Sequence, residues 1–263
     1  MLRFAFRLVA SLALTLGVLS GTVLAQTAPT TSAARTATVS SAPAPTARLT
    51  REEQVKIDWP WLSRFKEADL ALHVPAPHEN RVVFMGDSIT EGWHLEESFP
   101  AKPYINRGIS GQTTPQMVLR FHQDVIALQP KVVVILGGIN DIAQNTGPMT
   151  LEESENNIAA MAEMATANGI RVVLCSVLPA YDFPWHPGLE PATKVVTINR
   201  WIAAYAALHK HIYVDYFAAM KDERGGLPSS LSHDGVHPLP TGYAVMVPLV
   251  QAGIDKALGE AHK

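Results

Sequence analysis

Four short stretches of this chain are apolar without interruption: residues 82–85 (VVFM), 132–136 (VVVIL), 172–175 (VVLC) and 212–214 (IYV), with a weaker one at 104–106 (YIN). A strand with one wet face alternates apolar and polar residues, whereas a strand buried on both faces is apolar throughout, as in a parallel sheet covered by helices on each side. Between these runs lie longer segments with helical spacing, at 114–128, 151–168, 192–210 and 240–258. Asn168 and Gly169 supply a stop signal for the second of them. Regular alternation of buried strand and amphipathic helix predicts an α/β fold. It should be a single three-layer, doubly wound domain with a parallel, flavodoxin-like sheet, spanning residues 50–263.

The two segments ahead of that domain read differently. Arg3 and Arg7, the apolar stretch 8–24, and the small residues Val23 and Ala25 before Gln26 have the layout of an export signal, so residues 1–25 are expected to be a signal peptide cleaved after Ala25. Cleavage would leave the protein exported, periplasmic or secreted; if the segment stays uncleaved it is a membrane anchor, the one route by which a membrane becomes a partner. Residues 26–49, almost wholly Ala, Thr, Ser and Pro, offer too little large apolar surface to offset the entropy of ordering and are expected to be a disordered linker. Thr50 and Glu53 then fit a capping box, and Asp58 with Pro60 marks a second helix start, followed at helical spacing by Trp61, Leu62, Phe65, Ala68 and Leu72. The single Cys175 forms no intramolecular disulfide, so stability rests on packing. A net charge of −3, from 21 Lys and Arg against 24 Asp and Glu, gives no reason to expect a nucleic acid as partner.

Ligands of such sheets bind at the carboxyl ends of the strands. After the first run comes Gly86, Asp87, Ser88, which puts a hydroxyl at that edge. Near the other end stand Asp234 and His237, three residues apart, so that one tight turn brings carboxylate and imidazole together. The carboxylate then accepts the Nδ1 proton and leaves Nε2 facing a serine. His233 lacks such a partner and reads as structural or solvent-facing. Two further loops offer oxyanion donors: 106–114, where Gly111 allows close backbone approach, and 137–141, where Asn140 carries an amide. Asp87 and Asp141 read as turn braces. No zinc-type HExxH and no GxxxxGK[ST] phosphate loop occurs, and neither metal nor organic cofactor is expected.

Together these blocks resemble the SGNH hydrolase family, also called GDSL esterases and lipases. Gly86, Asp87, Ser88 match its first block; Ile109, Ser110, Gly111 its second; Gly138, Ile139, Asn140, Asp141 its third; and Asp234 to His237 its last, all in family order. The first block reads GDSI rather than GDSL, and Ile139 stands where many members carry a smaller residue. The resemblance implies a serine esterase working through an acyl-enzyme, with Ser88 as nucleophile, His237 as base and Asp234 orienting it. The Ser88 N–H, the Gly111 N–H and the Asn140 side chain would form the oxyanion hole. Trp93, Ile139, Tyr181 and Trp185 are the expected substrate-binding residues. The segment 178–191 holds Pro179, Pro184, Pro187 and Pro191 with Gly188, a stiff irregular loop rather than a helical lid. Small esters of short acyl chains or acetylated sugars are therefore the expected substrates. The alternatives are a lysophospholipase or thioesterase, a lipase on longer chains, and, in another class, a catalytically silent binding domain.

Overall fold

A computed structural model describes residues 50–259. The expected signal peptide (1–25) and linker (26–49) lie outside the described residues, and no helix among those described is long and apolar enough to cross a membrane. The five apolar runs form five strands: β1 (Val82–Gly86), β2 (Tyr104–Gly108), β3 (Val132–Leu136), β4 (Arg171–Cys175) and β5 (Ile212–Val214). All neighbours pair in parallel, in the order β2-β1-β3-β4-β5. The sheet is the doubly wound, three-layer α/β arrangement expected from the sequence. Every residue of β1 and β3 is buried, which is why those segments carry no polar alternation.

The helical segments begin where local chemistry starts a helix. In α5 (Thr114–Asp124), Thr113 and Gln116 form a capping box with proline in the first turn; in α7 (Leu151–Ala167), Thr150 and Glu153 form a capping box without one. Proline opens α8 (Pro191–His209) and α10 (Pro240–Leu258). Helix α7 stops at Asn168, followed by Gly169 at φ 72°. Between strands β1 and β2 run the short α3 (Ser88–Glu91) and α4 (Leu95–Ser98); α6 (Ile139–Ile142) follows β3, and α9 (Tyr216–Met220) follows β5. The chain steps from β1 outward to β2, then returns across β1 to β3. With right-handed crossovers this reversal puts successive connections on opposite faces and opens a crevice at the carboxyl ends of β1 and β3.

Two expectations are corrected. No helix starts at Asp58: α1 (Arg51–Ile57) carries the Thr50 and Glu53 capping box, and then both Asp58 carboxylate oxygens accept backbone N–H groups, of Leu62 at 2.7 Å and Ser63 at 2.9 Å. That side chain competes with the helix ladder and holds a turn, with Trp61 at φ 56°; only α2 (Lys66–Ala71) is helical beyond it, and it buries none of its residues. The helix expected over 114–128 ends at Asp124 and continues as a single 3-10 turn, Ile126–Leu128.

Candidate active site

Strand β1 ends at Gly86, and the chain turns directly into α3 with Ser88 as its first residue. The Asp87 side chain caps that helix through the Ile89 N–H at 3.0 Å, so the serine is fixed between a buried strand and a capped turn. The turn is held from all sides. Arg120, fully buried in α5, donates to the carbonyls of Gly86 (2.8 Å) and Arg107 (2.8 Å), to Gln112 Oε1 (2.5 Å) and to Asp124 (2.9 Å). The Tyr243 hydroxyl donates to the Ile89 carbonyl at 2.8 Å. At Gly86 a Cβ would lie 2.0 Å from Thr90 Oγ1 and 2.7 Å from the Leu136 carbonyl, so nothing larger than glycine fits.

Asp234 and His237 approach from the loop before α10. His237 Nε2 lies 2.9 Å from Ser88 Oγ, and Nδ1 lies 2.6 Å from Asp234 Oδ2. The other Asp234 oxygen accepts the backbone N–H groups of Val236 (2.9 Å) and His237 (2.8 Å) and the Ser232 hydroxyl (3.1 Å). Partial burial works to raise the Asp234 carboxyl, but the hydrogen bonds from the His237 backbone and ring and from Val236 outweigh it and hold it at about 2. Asp87 behaves oppositely: complete burial, against the single Ile89 bond and the attraction of His237, pushes it up to about 7. Its Oδ2 is buried with no hydrogen-bond partner.

Gly111 sits at φ 72° in the loop after β2, and Asn140 is buried in α6 after β3. The Asn140 amide donates to the Gln112 carbonyl at 2.9 Å and accepts from Asn145 Nδ2 at 2.7 Å. Asp141 braces the same corner, accepting Thr114 N–H (3.0 Å), Thr114 Oγ1 (2.5 Å) and Ser154 Oγ (3.0 Å). Ser88 and Asn140 thus follow β1 and β3, the two strands that flank the crevice.

Of the four residues expected to touch substrate, two are buried. Trp93 is 3% exposed, edge-on to Phe84 with ring centroids 5.7 Å apart, its N–H given to Ser98; Ile139 is likewise 3% exposed. Both sit beside the site, but their side chains complete the hydrophobic core. Tyr181 and Trp185 are exposed, on the irregular loop after β4. Trp185 lies 6.0 Å from the His237 ring, and Tyr181 lines a hollow of about 200 Å³ together with Asp182, Pro184, Arg224, Leu227 and Asp234. His233 is exposed. Sequence reasoning missed Arg120 and Gln112, which brace the serine turn, and Asn145. The side chains His94, Glu96 and Glu97, all exposed, are close enough to share a metal ion, but they stand outside the Ser88, His237 and Asp234 chain.

Comparison with known proteins finds clear relatives of this chain. Residues 84–245 match the model of the GDSL-like Lipase/Acylhydrolase family. A GDSL-like lipase of known structure from Bacteroides thetaiotaomicron is 44% identical, with a TM-score of 0.74 over 76% of this chain and 100% of that one. Esterase TesA of Pseudomonas aeruginosa is 28% identical over 172 residues, 60% of this chain and 79% of that protein. An acetylxylan esterase of Xylanibacter ruminicola is 25% identical over 221 residues, 69% of this chain and 45% of that enzyme, so the match spans under half its length.

Proposed function

Since the chain belongs to the GDSL-like lipase/acylhydrolase family, hydrolases that act on esters, we propose that Ser88, His237 and Asp234 are its catalytic triad and that it cleaves carboxylic esters through an acyl-enzyme. The unbroken hydrogen-bonded chain from Ser88 Oγ through His237 to Asp234, at 2.9 and 2.6 Å, carries this reading. His237 accepts the Ser88 proton as Oγ attacks the ester carbonyl, and the imidazolium so formed is stabilised by Asp234. Negative charge gathers on the carbonyl oxygen, which the Ser88 and Gly111 N–H groups and the Asn140 amide receive. The first N–H groups of a helix lack intrahelical partners, which leaves the Ser88 N–H available for that task. His237 returns the proton to the leaving alcohol, then activates a water that releases the acid.

The preferred esters are read as those of short acyl groups, including acetyl groups carried on sugars. The loop after β4 is anchored by buried Phe183 and pinned by Asp182, whose carboxylate accepts the N–H groups of Phe183 (2.9 Å) and Gly188 (3.1 Å); it offers aromatic edges rather than a mobile apolar cover. The acetylxylan esterase among the relatives points the same way. Residues 1–25 are read as a signal peptide and 26–49 as a linker ahead of a hydrolase domain at 50–263, so the protein acts outside the cytoplasm. A fluorophosphonate probe tests the catalytic assignment: wild type is labelled at Ser88, and Ser88→Ala is not. A folded wild type that never reacts would instead indicate a silent binding domain. With p-nitrophenyl esters of two to sixteen carbons, acetyl and butyryl should exceed palmitoyl by at least about tenfold in kcat/KM. A rate that climbs with chain length would favour the lipase or lysophospholipase reading.

A further inference from the structure

The Asn140 amide is the one oxyanion donor of the proposed site that belongs to a side chain, and a side-chain amide is useful there only if its NH2, rather than its oxygen, faces the reacting carbonyl. A rotation by half a turn would present a lone pair to the developing negative charge. The orientation of this amide is fixed by a directed series of bonds that starts forty residues away in sequence from Asn145. The Trp185 indole Nε1 has a hydrogen to give and no lone pair to accept with. It donates to Asn145 Oδ1 at 3.1 Å. That contact obliges the Asn145 amide to present its oxygen to the indole and its NH2 the other way, where it donates to Asn140 Oδ1 at 2.7 Å. Asn140 must then turn its own NH2 away from Asn145. One of those two hydrogens goes to the Gln112 carbonyl at 2.9 Å, and the second is the one that the oxyanion reading gives to the substrate.

The pieces of this series are held independently of one another. Asn145 is tied to Asn140 twice, since its backbone N–H also donates to the Asn140 carbonyl at 3.0 Å. Trp185 is tied to the same loop by its neighbour: His186 Nδ1 lies 2.9 Å from the Ala143 carbonyl. Its indole packs 5.3 Å from the Phe183 ring, which is fully buried. The series is anchored at both ends by groups that cannot reverse their role: the Trp185 indole only donates and the Gln112 carbonyl only accepts, and both require the same orientation of the amide pair between them.

We propose that Trp185 and Asn145 are positioning residues for the oxyanion hole, acting through Asn140 to hold its amide, together with the Gln112 carbonyl, in the orientation that offers NH2 to the substrate; this rests on the reading of Asn140 as an oxyanion donor. The role of Trp185 is thereby set by its N–H and not only by the aromatic surface it shows to the cleft. Trp185→Phe keeps the ring and removes the donor. With p-nitrophenyl acetate it should lower kcat by about tenfold, the size of one net hydrogen bond, with KM unchanged. Asn145→Asp, which accepts from the indole but has nothing to give Asn140, should lose more. In an Asn140→Ala background both changes should fall below about twofold, because their route to the reaction is gone. Trp185→Phe that raises KM with kcat intact, or that loses the same factor with and without Asn140, would overturn the proposal. An Asn140→Ala variant with undiminished kcat is a separate result: it removes Asn140 from the oxyanion hole itself.

Discussion

The two halves of the proposed triad are positioned by opposite means. Ser88 stands at the end of a buried strand, between Asp87, which is 0% exposed, and Ile89, at 1%. It is held by groups from distant parts of the chain: Arg120 on the Gly86 carbonyl, Tyr243 on the Ile89 carbonyl, and Asn106 Nδ2 on the Thr90 carbonyl at 2.6 Å. The Asp234 and His237 side chains are 39% and 43% exposed, and the bonds that shape their turn come from Ser232, Gly235, Val236 and His237 themselves. The nucleophile is thus a product of the whole fold, while base and orienter form a local device attached to it. Changes near Ser88 should therefore register first in stability, and changes near His237 in turnover.

The largest expected effects test whether two parts built so differently work as one. Ser88→Ala and His237→Ala should each reduce kcat by about 10⁶-fold, with the double mutant scarcely worse, because members of one catalytic unit are far from additive. Losses that multiply would mean that the halves act separately. Next, Asp234→Asn should cost about 10⁴-fold in kcat, since the charge that stabilises the imidazolium is gone. Its melting temperature should fall by only a few degrees at neutral pH, the residue being partly exposed and its charge screened by solvent. A collapse of the fold in that variant would show that the base loop is not a local device.

A pair of glycine substitutions sharpens the contrast in stability. Gly86→Ala forces a methyl to within 2.0 Å of Thr90 Oγ1 and 2.7 Å of the Leu136 carbonyl, and should destabilise by about 3 kcal/mol. That lowers the melting temperature by roughly 6–12 °C in a domain of this size. Gly235, at φ 79° with nothing within 4 Å of where a Cβ would stand, has the left-handed backbone that asparagine tolerates, so Gly235→Asn should stay within about 0.5 kcal/mol of wild type. Equal losses at the two sites, read by thermal denaturation, would break the comparison.

The same contrast explains what could be read from the sequence. Strands with no polar residue, such as 132–136, declare two-sided burial in their own composition, and the Asp234 to His237 device is legible because its three-residue spacing contains all of its geometry. The support of Ser88 is not. In α5, Gln116, Arg120 and Asp124 recur every fourth residue, the pattern of a solvated helix face, yet all three are buried, and only the tertiary fold shows that Arg120 reaches the Gly86 carbonyl. Ile139 stands in the third block and Trp93 in the loop that leaves the first, and the sequence does not show that both side chains are buried. At Asp58 the helical spacing of apolar residues was outweighed by a side chain that captured two backbone N–H groups. Asn145 carries no motif, and its meaning arises only from its tertiary contact with Trp185, forty residues away, together with its bonds to Asn140.

The smallest expected effect concerns the two aspartates, whose carboxyls the fold drives in opposite directions. Asp87, raised by burial to about 7, favours the neutral form in the folded protein. Its contribution to stability is therefore complete below the ordinary carboxylate value of about 3.9 and is lost as pH rises through about 7. Asp234, held at about 2, favours the charged form; its contribution is present above about 3.9 and is lost as pH falls through about 2. Asp87→Asn keeps an oxygen for the Ile89 N–H and abolishes the titration, so the melting temperature of the variant relative to wild type should climb between about pH 4 and 7 and level off beyond. For Asp234→Asn the relative melting temperature should instead fall as pH rises from about 2 to 4, and stay constant above, where wild type already has the full benefit of its charged carboxylate. Melting curves collected from about pH 2 to 8 decide both. If the two difference curves ran parallel, the buried carboxyl beside the nucleophile and the exposed one beside the base would be electrostatically alike, and the separation between a fold-built and a locally built half of the site would not extend to their charges.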